Sequence, residues 1–196
     1  MLSRVRNLKF LVLASTAVAI VAIARFNARA PSYPEVQARA SVTRTAAATP
    51  AISADAGHEV KMLNSALKKS PNHVPILLRL AKVASDSGRS TEAIDQLQEA
   101  VRVEPNNVEA RLDLGKLLFE KGDVWAAIEQ NQAILKTKPN QPDALYNLGA
   151  IYGNMGNANL AEHYWSRLLA ANPESESGRR ARGMMDLLRK ESNQRR

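Results

Sequence analysis

Residues 142–175 read PDALYNLGAIYGNMGNANLAEHYWSRLLAANPES. Two apolar stripes run through this stretch: Leu145, Leu148 and Tyr152 form one, and Ala161, Trp165, Leu168 and Leu169 form the other. Apolar residues three or four apart share one face of a helix. Gly156 stands between the stripes, where a helix end calls for a positive φ. Pro173 closes the stretch, because proline lacks an N–H and pushes its predecessor out of the α region. The pattern therefore predicts two antiparallel helices joined by a tight turn. Gly149 inside the first helix costs about 0.5–1 kcal/mol against alanine, and close approach of the paired helix is the compensation it predicts.

Working outward, the same punctuation recurs every 34 residues: Pro71, Pro105, Pro139 and Pro173, then Gly88, Gly122 and Gly156, then Ala93, Ala127 and Ala161. Asn72, Asn106 and Asn140 follow the first three prolines, and Gly115 and Ala81 stand in register with Gly149. Several residue types sharing one register define a helical repeat array, with units at 74–107, 108–141 and 142–175. The first unit supplies Leu77, Leu80, Ala81, Ala84, Ala93, Leu97, Ala100 and Pro105. The second keeps Leu114, Gly115, Leu118, Ala127 and Pro139 but places Arg111 and Asn131 where its neighbours are apolar, which predicts a weaker core there.

This pattern resembles the tetratricopeptide repeat (TPR) family, whose 34-residue helix pair carries Leu-Gly, Tyr, Ala, an aromatic residue and Pro at fixed offsets. The resemblance covers residues 74–175, and both flanks read as partial repeats. Val60, Leu63, Ala66, Leu67 and Pro71 match a second helix, so residues 56–69 cap one end. Residues 176–192 match a further first helix, with Gly183 in register and Ala181, Met184, Met185 and Leu188 apolar. The implied fold is all-α: an α-solenoid of three units with a half-repeat cap at each end, the TPR domain running from 55 to 192 before a tail at 193–196. Three units with caps reach the usual minimum for a stable array.

The family lines a concave groove with its first helices, and the resemblance places Leu78, Arg79, Lys82, Leu112, Asp113, Lys116, Phe119, Glu120, Tyr146, Asn147, Ala150 and Asn154 there. It implies a non-enzymatic scaffold that takes a peptide or helix of a protein partner. The family's two-carboxylate clamp does not carry over, because Lys82 fits one clamp place while Leu78, Asp113 and Asp143 occupy others.

Ahead of the repeats, residues 10–24 form an uncharged, mostly apolar run, FLVLASTAVAIVAIA, preceded by Arg4, Arg6 and Lys9. As a helix this run spans about 22 Å. Extending it over residues 8–26 lets Lys9 and Arg25 reach the headgroups of a bilayer. Residues 1–26 are thus expected to form an apolar helix that acts as a signal-anchor. A cleaved signal with an A-x-A site at Ala22-Ile23-Ala24 and a mitochondrial presequence are the competing readings. The positives before the run favour the repeats lying on the exported, periplasmic side. Residues 27–54, rich in Ala, Ser, Thr and Pro, read as a flexible tether. This layout is similar to that of anchored TPR subunits in cytochrome c maturation.

The chain carries 27 Lys+Arg against 19 Asp+Glu, a net charge of +8, and the excess sits at its ends. Residues 1–30 contribute +5 and residues 176–196 contribute +4, leaving a repeat body close to neutral. A basic chain invites a nucleic-acid reading. Here the rival class is an anionic surface or nucleic acid bound by Arg179, Arg180, Arg182, Arg189, Lys190, Arg195 and Arg196, without interleaved aromatics for base stacking. A charged cap that keeps the last helix soluble explains the same residues. Trp125 falls at a position usually polar in the family, serving either a partner or local packing.

There is no cysteine, which excludes disulfides and thiolate chemistry. His58, His73 and His163 stand in no ligand spacing, and no phosphate-loop, dinucleotide or nucleophile-elbow motif occurs. No cofactor, metal or enzyme activity is expected. Self-association of the array is left open by the pattern.

Overall fold

The computed structural model describes residues 54–194, with side chains placed over 56–190. The apolar segment 8–26 and nearly all of the tether lie outside the described residues. Ala54, assigned above to the tether, is instead the first residue of a helix. Among the described residues eight helices follow in order: α1 Ala54–Lys69, α2 Val74–Asp86, α3 Ser90–Val103, α4 Val108–Lys121, α5 Val124–Thr137, α6 Pro142–Asn154, α7 Ala158–Ala171 and α8 Glu176–Gln194. The last runs two residues past the cap read from the pattern. Among the described residues there is no strand, and no helix is long and apolar enough to cross a membrane.

The repeat punctuation does local physical work. Gly88, Gly122 and Gly156 take φ of 69°, 93° and 76° in the turns within units, the left-handed region where a Cβ is unfavourable. The turns between units end in a capping side chain. Asn107 accepts from the Ala110 N–H (3.0 Å), Gln141 from the Ala144 N–H (2.7 Å) and Ser175 Oγ from the Gly178 N–H (2.9 Å). Each satisfies an N–H that the helix start leaves without a partner. His73, in the same register, gives α2 no side-chain cap.

Each unit is a tight pair, α2 with α3, α4 with α5 and α6 with α7, and successive pairs stack through α3–α4, α5–α6 and α7–α8. The alanines that begin each second helix, Ala93, Ala127 and Ala161, are fully buried. A Cβ built on Gly149 would overlap the indole of Trp165, and one on Gly115 would lie 2.9 Å from Asn131 Nδ2. Both glycines are therefore small so that the second helix can approach. Gly183 in α8 meets nothing within 4 Å, and among the described residues no second helix packs on it. Arg179, Arg182 and Asp186, on the side of α8 where a partner helix would lie, are exposed.

The second unit is not simply weakened by its polar substitutions. Asn131 is 1 % exposed, donates to the Ala127 carbonyl at 2.9 Å and accepts from Asn147 Nδ2 at 3.2 Å. Arg111 donates to the Pro105 carbonyl and to Gln130 Oε1, each at 2.6 Å. The polar groups are satisfied, so most of the cost of placing them there is recovered.

Candidate protein-binding groove

The first helices α4, α6 and α8 adjoin one another along one side of the stack. Between α4 and α6 lies a cleft of about 370 Å³. Leu112, Asp113, Gly115, Lys116 and Phe119 of α4 form one wall, and Asp143, Asn147, Ala150 and Ile151 of α6 form the other. Asn131 of α5 and Arg180 of α8 complete it. A smaller cleft of about 130 Å³ occupies the matching place between α2 and α4, with Lys82, Asp86, Asp113 and Lys116 among its lining residues.

The structure thus brings Leu112, Asp113, Lys116, Phe119, Asn147 and Ala150 together and adds Lys82 one repeat earlier. The other residues placed in the groove by the resemblance stand outside both clefts. Leu78 is half-buried against the core, and Arg79 is turned to the Glu59 carboxylate of α1 at 2.5 Å. Tyr146 packs on the core with the Arg180 guanidinium 4.4 Å above its ring, so α8 covers the face it was expected to offer. Asn154 and Glu120 are exposed, Glu120 lying 3.9 Å from Lys116.

Asn131 and Arg180 were not among the groove candidates. The signal for Asn131 was its departure from an apolar position. Arg180 carried none, since it stood among seven basic residues of the C-terminal segment. Its placement follows from α8 packing beside α6. Arg180 donates to Ser177 Oγ at 3.1 Å, and buried Ser177 in turn donates to Asp143. Asp143 also accepts from Gln141 Nε2 at 3.3 Å. Two other cap arginines have neighbours as well: Arg179 donates to the Glu174 carbonyl at 2.6 Å, and Arg182 lies 3.8 Å from the Glu174 carboxylate.

Asp113 stands on the ridge shared by the two clefts. Asp113 is exposed as a residue, yet desolvation of its carboxyl on the ridge pushes it above the ordinary value, and Glu109 one turn earlier adds to the rise, while Lys116 and Lys82 oppose it. Trp125, near the start of α5, is 43 % exposed, and His58, His73 and His163 are all exposed. No group of metal-ligating side chains occurs among the described residues.

Stacked helix pairs with a side-chain-lined cleft along their first helices define a helical-repeat scaffold. Tetratricopeptide repeat models match residues 78–142 and 143–175, together half of the chain, and the chain belongs to the tetratricopeptide repeat family. A crystal structure of MamA is 28 % identical with a TM-score of 0.57, the match covering 68 % of this chain and 80 % of that one. YrrB, described as a TPR protein with an unusual peptide-binding site, is 24 % identical with a TM-score of 0.58, covering 66 % of each chain. A tetratricopeptide repeat protein from Parabacteroides merdae is 22 % identical with a TM-score of 0.63, covering 71 % of this chain and 56 % of that one. No curated protein matches by sequence. The fold is that of a protein–protein interaction scaffold, a family that is in general non-enzymatic.

Proposed function

We propose that this protein is a membrane-tethered scaffold on the exported side, where it captures a segment of a partner protein during assembly of an envelope complex such as the cytochrome c maturation machinery. One observation carries the capture: the cleft between α4 and α6 pairs an apolar wall at Leu112, Phe119, Ala150 and Ile151 with a charged rim. An apolar slot with a few polar groups at its edge suits a protein segment, which brings side chains to fill it and backbone to meet the rim. The tether reading rests on residues 8–26 and the positives ahead of them.

Crosslinking from intact cells, with the native N-terminus in place, tests both parts. The partner crosslinks to wild type and is lost in Leu112→Ala/Phe119→Ala and in Ala150→Glu, while circular dichroism keeps the helical signal. Capture that survives both variants removes the groove from the reading. Failure of the protein to fractionate with membranes removes the anchor alone.

A further inference from the structure

Six charged side chains line the two clefts: Lys82, Asp86, Asp113, Lys116, Asp143 and Arg180. Five of them have partners. Lys82 lies 3.2 Å from Asp86, and Lys116 lies 3.9 Å from Glu120. Asp143 accepts from Ser177 and Gln141, and Arg180 is held by Ser177 and the Tyr146 ring. Asp113 has neither a hydrogen bond nor an ion pair within 4 Å among the described residues.

An occupant of the larger cleft covers this ridge and strips water from the carboxylate. Stranding an ion under an apolar or acidic segment is strongly unfavourable, whereas an opposite charge offsets the desolvation. The protein's own lysines offset the charge only in part: the pull of Lys116 and Lys82 on Asp113 is outweighed by its desolvation, and each lysine also lies beside another carboxylate. Glu109, one turn before Asp113, adds negative potential to the same edge and raises the carboxyl further. The site is the reverse of the family's clamp, which grips a carboxylate with basic and amide side chains.

We infer that the groove selects a partner segment in which a Lys or Arg stands beside an apolar residue, the cation on Asp113 and the apolar group between Leu112, Phe119 and Ala150. The inference rests on the groove reading above and adds the charge of the occupant to it. Complementary charge at a desolvated edge acts mainly on specificity.

Selection of a randomised displayed-peptide library on the full-length protein in detergent tests this. Wild type enriches peptides with Lys or Arg next to a large apolar residue. A synthetic peptide from that set binds about tenfold tighter than its citrulline counterpart, equivalent to about 1.4 kcal/mol. Citrulline keeps the shape and N–H groups of arginine without the charge, so the comparison isolates the ion. Asp113→Asn abolishes the preference, and Asp113→Lys turns it toward Glu. Asp113 has no hydrogen bond or ion pair to lose, so Asp113→Asn melts at or slightly above wild type at neutral pH, which separates lost selectivity from lost folding.

Enrichment without basic residues, or a preference that persists in Asp113→Asn, overturns the inference. If such enrichment still disappears in Leu112→Ala/Phe119→Ala, the groove reading stands and only the cation is wrong. A selection that enriches nothing overturns both.

Discussion

The cleft between α2 and α4 and the cleft between α4 and α6 occupy equivalent places one repeat apart, yet they enclose about 130 and 370 Å³. Their linings differ at matched positions: Ala81, Leu97 and Lys116 in the smaller correspond to Gly115, Asn131 and Ala150 in the larger. All three changes remove bulk from the space between neighbouring first helices. Ser85 becomes Phe119, which supplies an apolar wall. A repeat frame that fixes backbone spacing therefore leaves recognition to a few substitutions at interior and groove positions. The residue that wedges between the helices of each unit, Leu97, Asn131 or Trp165, decides whether that space is filled or open.

The largest expected effect lies at the wedge of the third unit. Trp165 is 1 % exposed, fills the notch left by Gly149 and donates to the Tyr146 carbonyl at 3.2 Å. Trp165→Ala should cost about 3–5 kcal/mol in denaturant unfolding, since transfer and cavity terms add. It should also loosen α6 and with it the far wall of the larger cleft. A loss below about 1 kcal/mol would show that the unit repacks and that the wedge does not hold the wall.

Exchanging the wedges of the first two units sharpens the comparison further. Leu97→Asn buries a carboxamide with no partner provided and should cost about 2–4 kcal/mol. Asn131→Leu removes two hydrogen bonds but adds apolar burial, and the half-buried Asn147 keeps access to water. It should change stability by less than about 1 kcal/mol while filling the cleft and weakening partner capture about tenfold. Large destabilisation by Asn131→Leu would mean that the Asn131–Asn147 contact holds the fold together, not that it keeps the cleft open.

These wedges also mark the boundary of what the sequence disclosed. The 34-residue register identified every helix pair, because proline, glycine and the small alanine act locally and through one neighbouring helix. The groove was legible only as a register. Leu112, Phe119 and Asn147 line the cleft because α4 and α6 keep the family spacing. Tyr146 stands outside the cleft because Arg180 lies over its ring, on a helix whose docking no local pattern specifies. Asn131 read as a defect, since a hydrogen bond to Asn147 across two helices is invisible until the turn between them is built. Contacts within one repeat followed from residue type, and contacts between repeats did not.

Ala150→Lys gives the larger cleft the side chain that Lys116 gives the smaller one. Ala150 is partly exposed, so stability should stay within about 0.5 kcal/mol. Capture should still fall, read by crosslinking yield, and a variant that captures normally would show that volume at this wall is irrelevant.

The smallest effect belongs to Asp113, the side chain that both clefts share. Desolvation at the ridge and Glu109 raise its carboxyl above the ordinary 3.8, so the folded protein binds this proton more tightly than the unfolded chain. The ionised group therefore costs stability at neutral pH. That cost fades as pH falls through the raised value and is gone below 3.8, where both states are protonated. Asp113→Asn should melt slightly higher than wild type at pH 7, and the two should converge in acid. A variant that melts lower at neutral pH would mean that the pull of Lys116 and Lys82 outweighs the desolvation of the carboxylate within the fold. Asp113 would then be a structural ion like the other five, and the ridge between the clefts would have no charge left to offer a partner.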